Sequence, residues 1–233
     1  MSTVKVNKIE KRSGSTLTLG GPGTAVTLAC GATQTGFGRT GKNFGIEHFG
    51  EADILACAKS ISGGYFPLGA VIAHDRVLEP IQKSNKPFFS GQTYSCIPLA
   101  AAVGNKVLEI IKRENLVENS KTIGAYLKEK FELLKEIPTV GDVRGQGLFL
   151  AIEFVKDKKT KEVIAPHLLY AKTVEKNAFK NGLVTYGARG TVEMTKGDHM
   201  LFAPPLNLSK EEADQIYVGM RQSILDTNLE LGV

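Results

Sequence analysis

The chain has 233 residues, 42% of them hydrophobic and 23% charged, which suits a folded protein with one large domain or two small ones. No apolar run approaches the ~20 residues that cross a bilayer, and the start lacks the apolar stretch of a secretory signal. An intracellular, cytoplasmic protein without membrane contact is therefore expected. The formal charge of +5 does not point to nucleic acid. Four basic residues (Lys5, Lys8, Lys11, Arg12) against one acid (Glu10) sit in the first 34 positions, and the rest of the chain is near neutral. Cys30, Cys57 and Cys96 form no CxxC pair and the four histidines are scattered, so neither a disulfide framework nor a metal site is expected.

Taken in chain order, residues 1–33 stand apart. They are rich in Ser, Thr and Gly, with short alternating pieces at Thr16-Leu-Thr-Leu and Val26-Thr-Leu-Ala that predict short strands between turns. From Gln34 onward the pattern is α/β. Ile54-Leu-Ala-Cys-Ala predicts a strand that runs into a glycine turn at Lys59-Ser-Ile-Ser-Gly-Gly, and Leu68-Gly-Ala-Val-Ile-Ala predicts a second, buried strand. Pro98 opens a helix to about Arg113. A second helix follows, with Ile123, Leu127, Phe131 and Leu134 on one face. Strands are expected near Val140–Val143 and Leu148–Val155, a helix from about Leu169 to Asn181, and a strand at Leu183–Tyr186. Ser209 with Glu212 makes a capping box for the last helix, whose apolar face is Ala213, Ile216, Tyr217, Met220 and Ile224.

One lysine carries the chemical interest. Lys59 ends an apolar strand and precedes Gly63-Gly64, whose missing side chains leave room for a flat ring; by spacing alone, however, it reads as a surface lysine at a strand end. Its wider setting is more specific. Gln34-Thr-Gly-Phe-Gly-Arg-Thr-Gly-Lys-Asn-Phe-Gly-Ile-Glu-His-Phe-Gly, then Asp53-Ile-Leu, Ala58-Lys59 and Pro67-Leu-Gly-Ala, resembles the signature of class III (omega-type) aminotransferases in order and spacing over nearly forty residues. In that family the lysine at the Lys59 position forms a Schiff base with pyridoxal 5′-phosphate (PLP), and the glutamine at the Gln34 position approaches the cofactor's phenolic oxygen.

Two further blocks carry the resemblance downstream. Gly91-Gln-Thr-Tyr-Ser-Cys-Ile-Pro resembles the block whose threonine, here Thr93, donates to the cofactor phosphate, usually across a dimer interface. The family often has His-Thr where this chain has Gln92-Thr93. Val140-Gly-Asp-Val-Arg-Gly-Gln-Gly-Leu resembles the block whose arginine, here Arg144, binds a substrate carboxylate through its planar guanidinium. The competing reading is an Arg144 paired with Asp142 or Glu153. Asp198 and His199, in a segment resembling the closing part of these enzymes, read as a turn feeding a buried strand. Arg39 and Glu47 read as structural.

The resemblance implies an α/β fold: part of a fold-type-I large domain (34–134) followed by a small C-terminal α/β domain (135–233), with 1–33 outside the family. The implied reaction transfers an amino group from an amino acid or omega-amine to a 2-keto acid, in a homodimer. Departures from the family matter. Its usual Asp-Glu-Val before the glutamine is Gly31-Ala32-Thr33 here, so the carboxylate that keeps the pyridine nitrogen protonated is missing. The roughly two hundred residues that usually precede it are also absent. Weak or no activity for this chain alone is therefore expected. Residues 1–33 resemble a phage tail-fibre or virion module, so a junction of two sources and a non-catalytic structural chimera form one alternative. A PLP-dependent aminomutase is the other.

Overall fold

A computed structural model describes residues 9–12, 16–19, 26–29, 32–84, 91 and 93–233. The chain divides into two units, Met1–Val117 and Glu118–Val233.

In the first unit the short alternating pieces are strands, as their pattern predicts: β1 (Ile9–Arg12), β2 (Thr16–Leu19) and β3 (Val26–Ala29). They form one sheet, in the order β1-β2-β3-β4-β5, with β4 (Ile54–Ala58) and β5 (Gly69–Ala73). β3 and β4 run parallel, with Leu28 opposite Ile54, while the other pairings are antiparallel. The short α1 (Ala32–Thr35) lies between β3 and β4 in sequence and packs against β4. Leu55 and Cys57 point from β4 into a small core with Phe37, against which Phe44, Ile46 and Ile111 pack.

β5 forms where expected but is not buried. Val71 is 72% and Ile72 50% exposed, on opposite faces of the strand. Among the described residues β5 pairs only with β4, so its apolar composition reports a sheet edge without cover. α2 (Asp75–Lys83) is absent from the sequence reading. Val77, Leu78 and Ile81 share one face, but Pro80 inside the run argues against a helix there, and the helix buries no residue. It is held locally instead: the His74 ring accepts from the Arg76 N–H at 3.2 Å, and Lys83 pairs with Glu79 at 2.7 Å. α3 (Pro98–Arg113) matches its expected bounds, with the proline in its first turn.

Among the described residues the second unit has the larger core. α4 (Leu116–Leu133) buries Leu127 and Phe131, and Leu134 follows in a 3-10 turn. These residues belong to the C-terminal core, and the division between the two compact units falls at Val117. The sheet order is β6-β7-β9-β8, all antiparallel, from β6 (Val140–Gln146), β7 (Phe149–Phe154), β8 (Tyr186–Val192) and β9 (Lys196–Phe202). Leu150, Ile152, Phe154, Met200 and Phe202 alternate onto one face, where they meet α4, α5 (Tyr170–Lys180) and α6 (Lys210–Leu231). The capping box of α6 is present: Ser209 Oγ accepts from the Glu212 N–H at 3.1 Å and Glu212 accepts from the Ser209 N–H at 2.8 Å. Ala213, Met220 and Ile224 are fully buried, with Ile216 and Tyr217 packed beside them.

One strand is displaced. Residues 183–185 lie outside any strand; β8 starts only at Tyr186. The Leu183 N–H donates to the Ala178 carbonyl at 2.8 Å, closing the end of α5, and the Leu183 side chain packs so tightly that a Cβ on Gly219 would lie 2.7 Å from it. Closure of a helix end and core packing here outcompete local strand propensity.

Candidate active site

Ala58 ends β4 in extended conformation, and the next residue breaks the strand: Lys59 has φ of 55°, in the left-handed region. Residues Lys59–Ser62 form one 3-10 turn, closed by Gly63 at φ 60° and followed by Gly64 at φ 82°. Positive φ at two successive positions suits glycine, which explains the Gly63-Gly64 pair. Lys59 is exposed, and among the described residues no ion pair or hydrogen bond engages its amine. A Cβ added at Gly64 would meet nothing within 4 Å, so open space flanks the turn. A lysine amine beside open space at the end of a strand can reach an aldehyde in solution.

Gln34 is exposed on α1, which lies against both β4 and the Lys59 turn. Gln34 and Lys59 therefore sit on adjoining elements of the same unit. The loop after Gln34 is tied together by local contacts. Phe37, left-handed at φ 56°, stacks edge-on against Phe44 at 5.3 Å, and Glu47 accepts from the Phe44 N–H at 2.7 Å. Nε2 of His48 lies 3.1 Å from both the carbonyl and the hydroxyl of Thr40. Burial lowers the pKa of Arg39 in this loop. Thr93 is exposed in a turn that leads into α3. Gln92 and Gly31 lie outside the described residues.

In the second unit Arg144 sits on β6, opposite Ala151 of β7. One guanidinium nitrogen contacts both Asp142, at 3.1 Å, and Glu153. Burial acts to lower the Arg144 pKa, but the hydrogen bonds to Glu153 and Asp142 outweigh it and the net shift is upward. Asp142 also meets Lys135 at 3.2 Å, and these cations hold its pKa below the usual carboxylate value against the opposing effect of burial. Arg144 is thus already engaged by two acids, the arrangement that the competing reading describes.

Asp198 is 2% exposed on β9; its Oδ1 accepts from the Ala171 N–H at 3.2 Å and from Arg189 at 3.3 Å. A carboxylate over the first turn of α5 satisfies a helix-end donor and the macrodipole together. Nothing in the sequence spacing brings Asp198 to Ala171; the β8–β9 hairpin and α5 do.

Residues 26–224 match the family described as class-III aminotransferase. The chain belongs to this family. An uncharacterised aminotransferase of Sinorhizobium fredii is 40% identical over 214 residues, covering 88% of this chain but 44% of that protein. A putrescine–pyruvate aminotransferase of Pseudomonas aeruginosa is 34% identical over 194 residues, covering 82% of this chain and 40% of the relative. Among solved structures, a transaminase from the marine bacterium Virgibacillus superimposes with a TM-score of 0.81 at 36% identity, covering 88% of this chain and 46% of that one. The chain spans less than half the length of these class III relatives.

The family is an aminotransferase family that works with PLP, and its fold-type-I architecture is the one to which these α/β units belong. The family match begins at Val26 and so takes in β3, which pairs in parallel with β4. The residues present fit the cofactor at two points: the unengaged Lys59 amine and the open space at Gly64. Among the described residues no helix is long and apolar enough to cross a membrane, and no cluster of His, Cys, Asp or Glu is arranged to hold a metal ion.

Proposed function

We propose that this chain is the lysine-bearing part of a PLP-dependent transaminase that moves an amino group from an amino acid or omega-amine to a 2-keto acid. The observation that carries the reading is Lys59: a left-handed, exposed lysine at the end of β4, beside a double glycine and open space, within the class III match. When bound, the cofactor supplies an electron sink for the carbanion that forms as the substrate loses its α-proton. Lys59 holds the cofactor through its amine and then moves that proton. Gln34 donates toward the phenolic oxygen, and Thr93 offers a hydroxyl to the phosphate. Arg144 binds the substrate carboxylate, for which Asp142 and Glu153 must give way.

Activity of the chain alone is expected to be weak or absent, because Gly31 stands where the family has the carboxylate partner of the ring nitrogen. One relative is named a putrescine–pyruvate aminotransferase, and putrescine is a donor of the omega-amine class proposed here. A homodimer in the cytoplasm is the expected working form. Residues 1–33, read from their Ser/Thr/Gly-rich texture as a tail-fibre-like segment outside the family, are reached by the family match from Val26 onward, and β1 and β2 share the sheet of β4; the resemblance to such a module is proposed only for the residues before Val26.

The test is reductive trapping. Purified chain incubated with PLP and then borohydride should carry a pyridoxyl group on Lys59 by peptide mapping. No label on a chain with a folded far-ultraviolet spectrum would overturn the reading. In separate, unreduced samples loaded with PLP, Gly31→Asp is expected to raise amino transfer by at least about tenfold, since a fixed charge at the ring nitrogen acts on the rate-determining electron demand. An unchanged rate would remove the explanation offered for low activity.

A further inference from the structure

Lys59 is a residue with a Cβ held at φ 55°, a conformation disfavoured by contact of that Cβ with its own backbone. Such a conformation persists only where the surroundings over-determine it. Four features do so here. Ala58, the residue before it, is locked in the sheet opposite Gly69. The Gly63 N–H donates to the Ser60 carbonyl at 3.1 Å, closing the turn. α3 presses on the turn through Gly104, where a Cβ would lie 2.8 Å from Leu68 and 3.7 Å from the Ile61 carbonyl oxygen. Last, Ser62, only 2% exposed, donates its hydroxyl to the carbonyl of Lys59 itself at 3.3 Å.

Of these, the Ser62 hydroxyl alone is a side-chain group that acts directly on the peptide unit of Lys59. We propose that Ser62 is a positioning residue for the lysine: its buried hydroxyl holds the Lys59 carbonyl, fixes the left-handed turn, and so sets the direction in which the amine is presented. Rotation of the Lys59 ψ toward the commoner conformations would swing this carbonyl off Ser62 and redirect the side chain. Because Ser62 is buried beneath the turn, it acts on the orientation of the amine and not on cofactor affinity. The proposal rests on the reading of Lys59 as the cofactor-binding lysine.

The experiment uses the full chain as wild type, Ser62→Ala, Ser62→Thr and, as a control in the same turn, Ser60→Ala. Each is mixed with graded PLP, quenched with borohydride at timed intervals, and its Lys59 label quantified by peptide mass; urea midpoints are taken in parallel. Ser62→Ala is expected to lower the limiting rate of labelling about fivefold, the factor that one neutral hydrogen bond carries. The half-saturating PLP concentration should stay unchanged. Ser62→Thr, which keeps the hydroxyl, should restore the rate, and Ser60→Ala should behave as wild type. Should the alanine variant lose its far-ultraviolet signal, Ser62→Cys, a weak donor of similar size, takes its place with the same expectation.

Wild-type limiting rates in Ser62→Ala would overturn the proposal, as would a loss matched by Ser60→Ala. A change confined to the half-saturating concentration would also overturn it, by assigning Ser62 to cofactor binding. An unlabelled but folded wild type would sink the functional reading and this inference together; a labelled wild type with an indifferent Ser62 sinks this inference alone.

Discussion

Tyr170 shows how a single residue ties the C-terminal unit together. It is fully buried, and its hydroxyl lies 2.9 Å from Thr139 Oγ1 and 2.5 Å from Asn228 Oδ1, which Thr139 also reaches at 3.1 Å. Its ring stacks on Phe154 at 4.9 Å. Burial raises the phenol pKa, the Asp198 charge adds to this, and the hydrogen bond with Thr139 opposes it. A folded pKa above the unfolded value of about 10 stabilises the fold fully below that pH and is lost as pH rises through the folded value. Stability to urea should therefore drop above about pH 10, and less steeply in Tyr170→Phe. At neutral pH that variant should cost about 1–2 kcal/mol, since Thr139 and Asn228 lose a buried partner. A Tyr170→Phe chain with the same alkaline profile as wild type would reject this assignment.

At the scale of elements, close approach decides more than propensity does. Gly124 on α4 meets the turn between β6 and β7: a Cβ there would lie 2.1 Å from the carbonyl carbon of Gly147. That neighbour is backbone and cannot rotate away, so Gly124→Ala must push helix and hairpin apart. A loss of about 3 kcal/mol is expected, read from urea unfolding followed by circular dichroism. The sequence pattern predicts α4 through Leu127, Phe131 and Leu134 but offers no reason for a glycine inside it, where it costs helix stability. The reason is tertiary. β8 shows the same rule from the other side, for Leu183 reads as strand and is taken up by closing α5 and packing at Gly219.

For the whole molecule, the two units differ in how much they bury. The C-terminal unit has a continuous cluster from Leu127 to Ile224, whereas among the described residues the buried hydrophobic cluster of the first unit is Phe37, Leu55 and Cys57. Protection against hydrogen exchange follows burial and the cooperativity it supports. In native-state exchange the amides of β7 and β9 should be the slowest, and those of β5 should exchange at least about a hundredfold faster, with Val71 and Ile72 open to solvent. Equal protection in β5 and β7 would mean that the β5 edge is covered in solution, for example by self-association.

The sequence by itself determined the family and most of the elements. Order and spacing across the blocks at Gln34, Lys59, Thr93 and Arg144 need no coordinates, and helices announced by Pro98 or by Ser209 with Glu212 carry their signals in local chemistry. Residues whose role depends on a distant partner were not legible. Asp198 reaches Ala171 only because a hairpin folds over α5, and α4 joins the C-terminal core because its apolar face finds β7 and β9. The Lys59 assignment began as a motif; tertiary structure added its left-handed backbone and the buried Ser62 beneath it. Local propensity acts over a few residues and is written in the chain, whereas burial and contact join residues far apart in it and are decided only when it folds.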